Sequence, residues 1–311
     1  VKMVSYSMEK TLKVEKQKRS AILSQTVKTG IIKSNLVPMF AGLTLALYTY
    51  DIDPGTKLLD VLYALIGTIL VIGAAGTFNN VYDRDIDAIM ERTKNRPTVT
   101  GEIDTKFAIT LASIMAVLGI IALAFTTPLA ALLGFLGLFF YVVPYTMWTK
   151  RRTIYNTEVG SISGAMPPLI GWAAMTGTLA HPAIAALFII QVIWQMPHFY
   201  AIAIRRHDEY KAARIPMLPV VKGVKRTYTQ TNIYLVLLSL TSFLFLPLSL
   251  GLTLVALLMN VGWLVLSIYG YKKNKDSEKW AKLLFIYSLI HMTILFSTVI
   301  VYSLVGIFIL N

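Results

Sequence analysis

The stretch NNVYDRDIDAIMERTKNRP, residues 79–97, follows the apolar run 58–78 and sets Asn79, Asp83 and Asp87 four residues apart. A helix turns once in about 3.6 residues, so these three fall on one face and direct an amide oxygen and two carboxylates into one volume. Hard divalent cations take oxygen ligands, and magnesium keeps several of its waters, so two spaced aspartates suit a metal that also holds a phosphate-bearing substrate. The other reading of the spacing is a solvated helix end capped by acids. Arg92, Lys94 and Arg96 follow at once and supply charge for a diphosphate, which favours the metal reading. Asp85, out of step with its acidic neighbours, faces elsewhere.

Outward from this stretch the chain is a series of apolar runs separated by short charged loops. It has 311 residues, 56% of them hydrophobic, and a mean hydropathy of +0.63. That pattern predicts an all-α, polytopic membrane bundle of nine transmembrane helices, over 34–50, 58–78, 107–126, 128–148, 155–175, 182–204, 230–248, 251–271 and 283–307. Residues 1–28 mix lysine and glutamate without an apolar core, so they are expected to form a cytoplasmic tail and no cleaved signal peptide, ahead of one domain over 29–311.

Nine spans put the termini on opposite sides. Of the 29 lysines and arginines, 28 fall on one side of that layout and only Lys57 on the other. Basic loops stay cytoplasmic, so the N-terminus is expected inside the cell membrane and the C-terminus outside. The net charge of +13 then reflects topology and anionic lipid, and its division among loops argues against nucleic acid as a partner. There is no cysteine, which removes disulfides, thiolate metal sites and cysteine nucleophiles.

The long charged loops follow the second and sixth spans, four helices apart, which suggests two four-helix repeats and a ninth helix enclosing a site near the cytoplasmic face. Asn35, Asn156, Glu158, Gln191, Gln195, His198 and His291 lie inside spans, where a polar group needs a partner. Each is either a cavity residue or a helix-to-helix hydrogen bond. Glu158 needs a cation, a proton or a strong donor, and Lys150, Arg151 and Arg152 are near it in sequence.

The motifs resemble those of the UbiA superfamily of intramembrane prenyltransferases. NNVYDRDID is similar to its NxxxDxxxD pattern, and ERTKNRP to the basic segment that follows. YNTEVGSISGAMPPLIGW (155–172), WQMPHFYAIAIRRHDEY (194–210) and IPMLPVVKG (215–223) resemble the heme-modifying branch in particular. The resemblance implies a helical bundle in which farnesyl diphosphate binds through magnesium, its tail in an apolar cavity open to the lipid bilayer, and in which the farnesyl group passes to a vinyl group of protoheme IX. By position, Asn79, Asp83 and Asp87 become metal ligands, with the two aspartates catalytic, and Asn79, Arg92, Lys94, Arg96 and Lys150 become diphosphate partners. A downstream heme-modifying enzyme is the protein partner this would suggest.

One departure from the pattern falls after the sixth span, where a second aspartate-rich motif gives way to AIRRHDEY. Arg205 and Arg206 are assigned there to diphosphate charge and Asp208 to an ion pair or one metal contact; alternatively the arginines only enforce topology. His198 is the candidate ligand of heme iron, with Trp194 beside it, while His207 and His291 are weaker candidates; the other reading of His198 is a satisfied polar group. Trp194, Phe199 and Tyr200 are candidates to face an allylic cation. Two competing functions follow: prenylation of an aromatic quinone precursor, which should carry a second aspartate pair, and secondary transport, which should place its acids at mid-span.

Overall fold

The computed structural model describes residue 15, residues 19–273 and residues 276–310, and the regular structure among them is entirely helical. In chain order the principal helices are α1 (Thr29–Thr49), α2 (Leu58–Tyr82), α3 (Thr105–Ala124), α4 (Pro128–Phe140), α5 (Asn156–Gly164), α6 (Met166–Thr176), α7 (Pro182–Arg205), α8 (Leu218–Thr241), α9 (Leu250–Lys273) and α10 (Ser277–Val305). Seven stretches, containing α1, α2, α3, α4, α7, α9 and α10, are long and apolar enough to cross a bilayer. Large apolar side chains such as Leu59, Phe125, Leu258 and Val301 lie exposed on their flanks. Water would drive such surfaces together, whereas lipid solvates them, and within lipid a helix satisfies its own backbone. The chain is a multi-pass membrane protein.

The other two expected spans are helical but are not single apolar rods. The fifth is broken at Ala165 into α5 and α6, because Pro167 and Pro168 can open a helix but cannot continue one. The seventh begins earlier than its apolar segment, at Leu218, and is interrupted at Gly223, whose φ of 75° and ψ of 170° are not helical. Hydropathy misses that first part because it carries Lys222, Lys225 and Arg226, all exposed.

Successive helices pack as neighbours around the bundle, and α10 returns against α1 to close it. The tightest joint is between α1 and α6. A Cβ at Gly42 would stand 2.0 Å from the carbonyl oxygen of Pro168, and one at Gly171 2.0 Å from that of Met39, so only glycine allows the two backbones this approach.

Three local features shape the charged end of the bundle. Residues 19–26 are helical, and their end is docked on α2 by Asn80 Nδ2, which donates to the Thr26 carbonyl at 2.9 Å. Lys28 then adopts a left-handed φ of 56° and turns the chain into α1, at a cost of roughly 1–2 kcal/mol for a residue with a side chain. Beyond α4 the helix widens into a π-helix, Tyr141–Thr149, around Pro144. Proline lacks an N–H, and the Thr146 and Thr149 hydroxyls bond back five residues, to the carbonyls of Tyr141 and Pro144, at 2.8 Å each.

Candidate active site

The helix does not run unbroken through the aspartates. α2 ends at Tyr82, Asp83 has non-helical φ and ψ of −88° and 7°, and a short helix Arg84–Asp87 follows. The shared face survives because the backbone bonds continue in helical register: Asp83 N donates to Asn79 O at 2.9 Å and Asp87 N to Asp83 O at 2.8 Å. Asn79, Asp83 and Asp87 are buried, at 3%, 0% and 3% exposure. Burying two carboxylates is costly unless cations and donors surround them.

Four cations do so. Lys150 pairs with Asp83 Oδ2, Arg96 with Asp87 Oδ2, and Arg151 reaches Asp83 Oδ1 at 3.4 Å. The fourth is Lys28, whose ammonium donates to Asn79 Oδ1. Asn79 is accordingly a bridge: its amide nitrogen donates to Asp83 Oδ2 at 2.7 Å and to Thr146 Oγ1 at 3.0 Å, the latter brought into reach by the π-helix. Burial, with the Arg96 and Lys150 charges beside it, pushes the Lys28 ammonium well below the usual lysine range. Lys28 lies in the stretch expected to be a tail and is one of several basic residues there, so nothing local in the sequence sets it apart.

Arg151 also forms a bidentate pair with Asp85, at 2.7 Å to each oxygen, and lies 5.1 Å above the Tyr82 ring. This pair holds the Asp85 carboxyl below the ordinary aspartate range and raises Arg151. Asp85 thus shares Arg151 with Asp83 and lines a 680 Å³ groove with Tyr82, Val99 and Arg151.

Several expected diphosphate residues are not at the aspartates. Lys94 is exposed and pairs with Glu91 at 2.6 Å, and the Arg92 side chain is exposed while its backbone N–H donates to Glu209. Arg206 pairs with Glu209 at 2.7 Å, and Arg205 lies 5.1 Å above the Phe285 ring. Asp208, expected to make an ion pair or touch a metal, has a 99% exposed side chain and pairs with His207 at 3.0 Å. A fully solvated carboxylate does not close a buried metal site. Glu209, one residue on in the short helix His207–Ala212, is the acid that ties this segment to the loop after α2, accepting from the Arg92 backbone N–H and from Arg206.

His198 and Trp194 do come together. Their rings stack at 4.6 Å, Phe285 of α10 covers the other side of the imidazole at 5.3 Å, and His198 Nδ1 bonds the Ser288 hydroxyl at 2.7 Å. Trp194 Nε1 donates to the Ser288 carbonyl at 3.2 Å. Phe199 is 38% exposed. Tyr200 points away: its hydroxyl donates to Glu158 Oε1, joined there by Tyr234 at 3.1 Å and Gln230 at 3.2 Å. Glu158 is thus met by neutral donors rather than by Lys150, Arg151 or Arg152. Gln195 donates to the Ser161 and Gln191 carbonyls, His291 pairs with Asn260, and Asn35 and Asn156 bond backbone carbonyls, so these follow the helix-to-helix or local reading.

The donor set fits magnesium held jointly with a substrate. Among the described residues no three acids or histidines gather to hold a metal; Asp83 and Asp87 are the residues that would hold magnesium, which takes few protein carboxylates and is commonly shared with substrate phosphates and water. Lys28, Arg96, Lys150 and Arg151 outnumber these carboxylates, an excess of positive charge suited to a polyanion.

A bundle of apolar helices with a buried carboxylate pair among cations at one end defines a polytopic membrane protein with a charged site set into its helices. The chain belongs to the UbiA prenyltransferase family, whose profile matches residues 35–289. It is 70% identical over 292 residues to protoheme IX farnesyltransferase 1 of Bacillus cytotoxicus, covering 94% of this chain and 95% of that one. It is 64% identical over 292 residues to protoheme IX farnesyltransferase 2 of Lysinibacillus sphaericus, covering 94% and 92%. Its fold is similar to that of a UbiA homolog from Archaeoglobus fulgidus bound to GPP and Mg2+, with a TM-score of 0.69 and 17% identity over 92% of this chain and 99% of that chain.

Proposed function

We propose that this chain transfers the farnesyl group of farnesyl diphosphate to a vinyl group of protoheme IX, giving heme O and diphosphate. The observation that carries the reading is the buried Asn79–Asp83–Asp87 face enclosed by Lys28, Arg96, Lys150 and Arg151, in a chain 70% identical to a protoheme IX farnesyltransferase. Magnesium, when bound, supplies charge that stabilises the departing diphosphate. Arg96, Lys150 and Arg151 would move from the aspartates, and Lys28 from the Asn79 amide, to the phosphate oxygens, and Asp83 and Asp87 would turn to the metal. The allylic carbon–oxygen bond breaks with its electron pair leaving on diphosphate, a vinyl carbon of the porphyrin bonds to the allylic carbon, and water adds to the remaining vinyl carbon and releases a proton. Fixed charges in a poorly solvated pocket favour the first of these changes, and the apolar bundle keeps bulk water from the cation.

In this reading the charged end lies at the cytoplasmic face of the cell membrane, with the N-terminus inside and the C-terminus outside. A heme-modifying enzyme is the partner that would take the product. Transport is disfavoured because Asp83 and Asp87 sit at a helix end. Purified protein given protoheme, farnesyl diphosphate and magnesium should yield a farnesylated, hydroxylated porphyrin by mass spectrometry; unchanged heme with folded protein would overturn the reading.

A further inference from the structure

Seven cations among the described residues are partly buried, and six have a polar acceptor within the chain. Lys57 pairs with Asp60, Arg96 with Asp87, Lys150 with Asp83, Arg151 with Asp85 and Arg206 with Glu209, while Lys28 meets the Asn79 amide. Arg205 is the seventh. Its guanidinium lies 5.1 Å from the centre of the Phe285 ring and has no acceptor among the described residues. A guanidinium presents a fork of donors matched to a carboxylate, and a half-buried one left with only a ring face is a site awaiting an anion.

Its position says which anion. Arg205 and His198 are seven residues apart on α7, two turns on one face, about 10 Å along the axis. Phe285 joins them, since the same ring lies 5.3 Å from the imidazole and 5.1 Å from the guanidinium. Ser288 occupies His198 Nδ1 at 2.7 Å, so Nε2 is the nitrogen left to face a ligand, and the Trp194 and Phe285 rings on either side fix the imidazole plane. Nearer the end of α7 than the histidine, the arginine sits toward the polar loop. The series is an imidazole, an apolar ring and a free guanidinium at the polar margin. It suits a planar macrocycle with a metal at its centre and carboxylates along one edge.

We propose that Arg205 holds a propionate carboxylate of the porphyrin substrate while His198 faces its iron. This rests on the protoheme reading above and takes Arg205 out of the diphosphate set. It also orients the substrate: propionates toward the loop at the end of α7, and the opposite, vinyl-bearing edge into the bundle.

The test is a Soret titration of wild type and Arg205→Ala with protoheme and with protoheme dimethyl ester, whose propionates carry no charge. Loss of one charge-assisted contact should weaken protoheme binding to Arg205→Ala about tenfold, leave ester binding unchanged, and leave farnesyl diphosphate affinity at the wild-type value. The wild type should prefer acid to ester and Arg205→Ala should not, with Arg205→Lys recovering part of the preference. A variant that discriminates acid from ester as well as wild type, or that loses diphosphate affinity and keeps its porphyrin preference, overturns the assignment; an arginine serving topology alone gives the first result. Wild type that binds neither porphyrin would instead strike at the heme reading itself. His198→Ala separates the two groups further: it should alter the spectrum while the preference for acid over ester persists.

Discussion

Asp83 accepts from Asn79, Lys150 and Arg151 with its side chain fully enclosed, so its charge acts where solvent cannot screen it. Asp83→Asn or Asp87→Asn should lower turnover more than about a hundredfold while protoheme binding, which is assigned to His198 and Arg205 rather than to these carboxylates, stays at its wild-type affinity; near-normal turnover would remove these residues from the chemistry. Lys28 allows a sharper test. Lys28→Met keeps the length of the side chain and removes a charge placed among like charges, so the melting temperature should change little. Affinity for inorganic diphosphate by calorimetry should fall about tenfold. A variant that melts much lower and binds diphosphate normally would make Lys28 a structural residue only. Aspartates at helical spacing were legible in the sequence because the signal is local. Lys28 was not, because its role comes from contact with Asn79, 51 residues away.

At the level of elements, the approach of α1 to α6 controls how the halves of the bundle meet. Gly171→Ala would drive a methyl carbon to 2.0 Å from the Met39 carbonyl oxygen, and because backbone rather than a flexible side chain is in the way, the helices must separate. Overpacking of this kind costs about 1–3 kcal/mol, so the purified variant should melt lower than wild type in the same detergent, and an unchanged melting temperature would mean the joint is looser than described. The breaks in the elements were partly legible. Pro167 and Pro168 mark the α5–α6 break, and Pro144 the π-helix. Asp83 as the end of α2 was not, since nothing in NNVYDRDID lacks a helical donor; only the turn into Arg84–Asp87 reveals it.

For the whole molecule the arrangement of charge is the strongest constraint. The chain has no cysteine, so single cysteines placed at exposed Thr56 and Lys94, on either side of α2, report on the two ends of that helix without background. In sealed vesicles they should label from opposite sides, Lys94→Cys from the cytoplasmic face. Labelling from one side alone would contradict the crossing by α2.

The sequence by itself determined the helical class, the membrane setting, the family and the aspartate face, because each depends on composition, periodicity or short motifs, which are properties of neighbouring residues. The partners of that face were decided only by tertiary structure. Of Arg92, Lys94 and Arg96, equal candidates by position, Arg96 alone reaches a site carboxylate. Likewise Asp208 and Glu209 are adjacent acids, yet one is solvated and the other joins two loops. Side-chain direction at the ends of helices depends on how the loops dock, and docking is settled by contacts between segments far apart in the chain, which no local pattern encodes.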